Sequence, residues 1–275
     1  MSAVRAMRQA ARRIWGGCLG VLLSLPLVAA AQDSAVVPQR ILINYQHMGW
    51  DSINERFVLQ RHADGSGYEM HARYESRTHV AKDLRLHVDA GTARALVDAL
   101  IAPPWPRDRG VRAVASRYSR RQLMPKEFWP TRPPSPCSVE TQRVLGGQYV
   151  KNRGTVALVD DLYGENGGVS WTDDYPFAVV QLLWPDGSVQ TLHSRSQKAM
   201  MLPWVTGVPE VEAQAAKENW SVTASDQLRA LLPSDSYLHA RLDGLEAMAR
   251  RIRERVSYAV SRQCDASMSN SMRSR

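Results

Sequence analysis

Histidine, paired acids and cysteine are the side chains in this 275-residue chain whose spacing could do chemistry. Five of its seven histidines come early, at His47, His62, His71, His79 and His87. Such a crowd suggests a metal, but no H-E-x-x-H or comparable spacing occurs. In the strand register derived below, His62 and His71 share a face yet stand about four residues apart, more than roughly 10 Å at strand rise, too far to hold one ion. Solvated surface histidines are expected, with no metal site.

The acidic cluster is sharper. Asp160, Asp161, Glu165, Asp173 and Asp174 fall within fifteen residues that contain no Lys or Arg, interrupted by Gly164, Asn166, Gly167 and Gly168. Hard oxygen ligands on a turn-rich loop suit a weak extracytoplasmic calcium site, or a paired-carboxylate acid and base. The spacing departs from the EF-hand pattern, and the plainer expectation is a solvated acidic loop. For a nucleophile, Gly168-Val169-Ser170-Trp171-Thr172 approaches G-x-S-x-G but lacks the closing glycine. His193 is the base that a serine hydrolase would use, against the commoner role of a structural histidine late in a strand. There is no glycine-rich phosphate loop and no dinucleotide fingerprint, so no cofactor is expected.

The elements that must position these groups are legible from periodicity. Ile41, Ile43 and Tyr45 alternate as in a strand. Residues 57–62 and 67–74 flank Asp64-Gly65, a preferred two-residue hairpin turn. That turn sets Phe57 opposite Ala72, Leu59 opposite Met70 and Arg61 opposite Tyr68, so the apolar side chains share a face. Asp89 caps a helix on which Ala93, Leu96, Val97, Leu100 and Ile101 form one stripe, ended by Pro103-Pro104. A proline-rich middle near 103–136 follows, holding eight prolines with Trp105 and Trp129. Its aromatics predict a segment packed on the domain rather than a linker between two. A second β region is read from near Gln148, with Val156 to Asp160 as an apolar, β-branched strand. Residues 177–184 and 188–194 flank Pro185-Asp186-Gly187, which predicts a type I turn with a glycine bulge and sets Val180 opposite Leu192. Both hairpin tips read Asp-Gly-Ser, but the unequal spacings argue against a duplication.

The last third is helical. Gln227 to Leu232 is a short turn stopped by Pro233, and Leu242, Leu245, Ala249, Ile252, Val256 and Val260 make an apolar stripe ending at Cys264. Arg250, Arg251, Arg253 and Arg255 lie mostly off it, as a solvated face or one for anionic headgroups. Met200 to Trp204 is apolar, as core or as a partner surface. The fold expected is α+β: a mainly antiparallel sheet built from β-hairpins, with helices packed on it and an amphipathic C-terminal helix.

The compartment follows from the first 31 residues. Arg5, Arg8, Arg12 and Arg13 precede an apolar run from Leu19 to Val28, and Ala29-Ala30-Ala31 offers an A-x-A cleavage site. The run is shorter than the ~20 apolar residues that span a bilayer. Residues 1–31 are therefore expected to be a signal peptide, and 32–275 a single periplasmic or secreted domain with no transmembrane helix after cleavage. Removing the leader lowers the formal net charge from +8 to +4, which gives no footing for a nucleic-acid partner. Cys137 and Cys264 are then the two cysteines left, and in an oxidising compartment an even count predicts one disulfide. Lacking a motif for any reaction, the chain is expected to be a non-catalytic binding module or an inhibitor of another envelope protein. The alternative is an envelope hydrolase using the acidic loop and His193.

Overall fold

The computed structural model of this protein describes residues 37–48, 52–118, 123, 137–163, 176–195, 200–206 and 220–273. Strands β1 (Arg40–Met48), β2 (Ser52–Arg61), β3 (Gly67–Glu75) and β4 (Ala81–Asp89) lead into helices α1 (Ala90–Ile101) and α2 (Arg107–Ala115). Helices α3 (Val139–Arg153) and α4 (Thr155–Tyr163) come next, followed by β5 (Phe177–Leu183), β6 (Val189–Arg195) and β7 (Val205–Thr206). Helices α5 (Val222–Leu231), α6 (Tyr237–Asp243) and α7 (Leu245–Arg273) are the last of the described elements. The seven strands form one antiparallel sheet in the order β4-β3-β2-β1-β5-β6-β7. The fold is α+β, as the sequence predicts.

Alternation decides which side chains face the helices. Ile41, Ile43 and Tyr45 of β1 lie in register with Leu59, Phe57 and Glu55 of β2 and with Leu182, Val180 and Ala178 of β5. These inward residues are fully buried and join one core with Leu96 and Leu100 of α1, Leu158 and Leu162 of α4, Leu228 of α5 and Ile252 and Val256 of α7. The β2–β3 register matches the predicted one, Phe57 with Ala72 and Leu59 with Met70. Its turn is wider than two residues. His62 N donates to Gly67 O, Gly65 N donates to His62 O, and the Asp64 carboxylate accepts from Ser66 N. Because the wider loop keeps the same centre, the register is unchanged. The second hairpin has the bulge the sequence implies. Gly187 takes φ +84°, Trp184 N donates to Ser188 O, and Val180 faces Leu192.

The strand predicted near Val156 is a helix. Ser138 caps α3 by accepting from Thr141 N, Gly154 ends it at φ +79°, and α4 follows at once. Leu158, Val159 and Leu162 are buried while Val156 is 46% exposed, a spacing of one and four residues that fits a helical face. β-Branching is a weak preference, and packing against α2, α3 and α7 overrides it. The C-terminal stripe is as expected, but it is shared by two helices. Gly244, in the left-handed region at φ +51°, separates Leu242 on α6 from the rest on α7. Ile101, counted in the α1 stripe, is exposed. Met200, Met201, Leu202 and Trp204 belong to the core, with Trp204 Nε1 donating to Ser225 Oγ. No described helix is long and apolar enough to cross a membrane.

Candidate functional site

The sheet face turned away from the core carries the polar half of each strand's alternation. One cross-strand row runs Val179, Asn44, Arg56, Arg73, Asp83, and the next pairs Phe177, Gln46 and Asn54. These rows surround an open depression of about 410 Å³ lined by Asn44, Gln46, Asn54, Arg56, Arg73 and Glu75. Three amides and two guanidiniums make it a surface that donates many hydrogen bonds.

Most charges around it are compensated. Arg73 Nε donates to Asp83 Oδ2 at 3.0 Å, and His71 Nε2 lies 2.5 Å from Asp83 Oδ1. The hydrogen bond with His71, and then Arg73, holds the Asp83 carboxyl below its usual range. Arg85 reaches Glu69 at 3.2 Å, and Arg40 Nε donates to Gln60. Arg56 is exposed, and among the described residues its side chain has no hydrogen bond or ion pair. Its guanidinium, set between Asn44 and Arg73 in register, is a cation of this face without a partner among the described residues.

A second polar group is buried inside. Glu55 occupies an inward position of β2, is fully buried, and accepts from Tyr237 N at 2.6 Å and Leu238 N at 2.8 Å. It therefore caps α6 from across the core, beside Ser236, whose hydroxyl accepts from His239 N. Burial pushes the Glu55 pKa up to about 7, and the two backbone donors only partly oppose it. Tyr45, opposite Glu55, is pushed up to about 12 by burial, with Arg241 pulling the other way. Tyr74 donates to Asp235 at 2.8 Å. A carboxyl near pH 7 is what proton transfer needs. Here both backbone bonds are structural, and Glu55 does not line the depression on the open face. Sequence reading missed it, although an acid two residues before Phe57 on the apolar face was the visible signal.

The residues singled out from the sequence scatter. His193 is buried on β6, in register with Val179 and Val205, and its ring centre lies 6.0 Å from that of Phe177. Alternation sets it on the face opposite Leu192 and the core. Asp160 and Asp161 are on helix α4, not on a loop, where Arg107 Nε donates to Asp160 Oδ1 and a terminal nitrogen of Arg153 to Asp161 Oδ1, both at 2.9 Å. His193 and these two acids thus belong to different layers, and the structure does not bring them together. Glu165, Asp173, Asp174 and the Gly168–Thr172 stretch lie outside the described residues.

The early histidines also take separate partners. His62 stacks on His87 at 5.6 Å and His79 Nδ1 lies 2.7 Å from Glu75. Among the described residues, no three His, Cys, Asp or Glu side chains gather as a metal site requires. Cys137 and Cys264 have their sulfurs at disulfide distance, 2.13 Å, with Cα atoms 5.8 Å apart. The Arg face of α7 is partly structural: Arg253 is buried against Glu246, and Arg255 donates to the carbonyl of Asp161 at 2.8 Å.

No family model matches the chain, and neither a curated protein nor a solved structure matches it.

Proposed function

We propose that this protein is an exported, non-catalytic binding module of the cell envelope, and that it holds an acidic partner protein on the open face of its sheet. The observation that carries this reading is Arg56: an exposed guanidinium with no partner among the described residues, flanked by Arg73, Asn44 and Asn54 in a depression of about 410 Å³. Guanidinium pairs carboxylate in two parallel bonds, and neighbouring amides can satisfy the surrounding carbonyls and hydroxyls. Export is supported by the leader-like first 31 residues. The cysteine pair at disulfide distance fits an oxidising compartment.

Crosslinking in intact cells, followed by recovery of the protein from the envelope fraction, tests the reading. An acidic envelope protein should be captured, and Arg56→Glu should cut that capture about tenfold or more while leaving the circular dichroism unchanged. Equal capture by the variant would remove this face as the binding site. Recovery of the chain from the cytosol with residue Met1 intact would remove export.

A further inference from the structure

The two edges of the sheet are unequal. At one end β7 offers two residues, whereas at the other β4 offers nine, with β3 on one side and no described strand on the other. The β3–β4 turn bond from Ser76 N to Val80 O sets the alternation of β4's backbone groups. Residues 82, 84, 86 and 88 bond to β3, while the N–H and C=O groups of 81, 83, 85, 87 and 89 turn outward. The strand contains no proline, and its register with β3 runs unbroken. A long, regular edge of this kind is a template for another strand.

Its side chains say which strand. On the core side of the sheet, Leu84 is only half-buried and Leu86 is 38% exposed, so the helices leave this margin partly uncovered. On the opposite side stand Asp83, Arg85 and His87, all exposed. Pairing that keeps both faces aligned must match residues of equal parity. With a two-fold axis at Leu84, Leu84 meets Leu84 of a second copy and Asp83 meets Arg85 twice over. In the same register Leu86 lies under the aliphatic stem of the second copy's Lys82. A shift of the axis to Arg85 would oppose two arginines, a shift to Asp83 two aspartates, and a shift to Leu86 would set Asp83 against Asp89. Like charges opposite one another are unfavourable. The sequence of β4 is therefore self-complementary in one symmetric register.

We propose that a second copy of this chain pairs antiparallel along β4, about a two-fold axis at Leu84, and joins the two seven-stranded sheets into one. Asp83 and Arg85 exchange the central backbone bonds, and the two leucines, whose own amides face β3, approach at the close, non-bonded pair. The axis is perpendicular to the sheet. Both open polar faces then point the same way, so a partner with two acidic segments would engage both at once. The pairing itself does not depend on what that face binds.

Sedimentation equilibrium of the purified protein tests this. The wild type should be a dimer, and Asp83→Arg and Arg85→Asp should each weaken it about tenfold or more. An equimolar mixture of the two variants should form a heterodimer, because one β4 strand then carries two arginines, the other two aspartates, and each arginine faces an aspartate. Asp83→Arg also strips His71 and Arg73 of a partner, so the mixture is decisive where that single variant folds less well. A wild type that stays monomeric overturns the proposal. So does a dimer that ignores both reversals. Slowed hydrogen exchange in β4 that appears only after envelope extract is added to a monomer would give the edge to another protein's strand, and would also overturn it.

Discussion

Glu55 sits where the alternation of β2 demands an apolar side chain, and its burial has a direct consequence for pH. A carboxyl whose pKa rises on folding, here to about 7, is protonated more readily in the folded state than in the unfolded chain. Its contribution to stability is full below the ordinary carboxyl range, and is lost as pH rises through about 7. The size of the effect is on the order of 3 kcal/mol for a shift of this extent. The melting temperature should accordingly fall between pH 5 and pH 8 and level off above. In Glu55→Gln the slope should vanish, at a lower plateau, because one of the two α6 amides then faces an NH2 group that cannot accept. A wild-type melting temperature that climbs over this range would contradict the assignment. The Asp160 and Asp161 carboxylates, partly exposed and paired with Arg107 and Arg153, form ion pairs worth little to stability.

Among the elements, α2 packs closely on the start of α5. Trp105 O accepts from Trp220 N, Arg109 lies 4.1 Å over the Trp105 ring, and Trp220 packs edge-on against Tyr163. Gly110 makes this possible, since a Cβ there would stand 2.4 Å from the Trp220 Cβ. Trp220 is buried, so moving it aside would disturb its contacts with Tyr163 and Trp105. Gly110→Ala should therefore cost about 1–3 kcal/mol despite the better helix propensity of alanine, and lower the melting temperature by several degrees. An unchanged or raised melting temperature would show that α2 shifts freely. Of the proline-rich segment, Val111 and Val114 are buried in the core and Trp105 is partly buried against it; its later part falls largely outside the described residues.

At the scale of the whole molecule, the Cys137–Cys264 pair ties the start of α3 to α7 across 127 residues. Closing so long a loop is worth up to about 5 kcal/mol in the chain-entropy account. Thiol labelling of the denatured, unreduced protein taken from the envelope should find no free cysteine at either position. Cys137→Ser with Cys264→Ser should lower the denaturant midpoint with little change in its slope. Two labelled thiols would place the protein in a reducing compartment, against the export proposed here.

Local chemistry was enough for the sequence by itself to determine the α+β class, both hairpin registers, the Asp89 cap and the stripe ending at Cys264. Turn residues, caps and side-chain period all act within a few positions along the chain, so they can be read from the order of residues. What only the tertiary structure decided depends on partners far away in that order. Val156 to Asp160 became helical because α4 packs on α2, α3 and α7. Glu55 was accepted into the core because two amides of α6, some 180 residues on, complete its bonding. Asp160 and Asp161 found arginines on other helices while His193 went to the other side of the sheet, and Arg56 was left uncompensated beside Arg73. Which distant groups pair with one another is a property of the whole packed arrangement, and no local pattern in the sequence carries it.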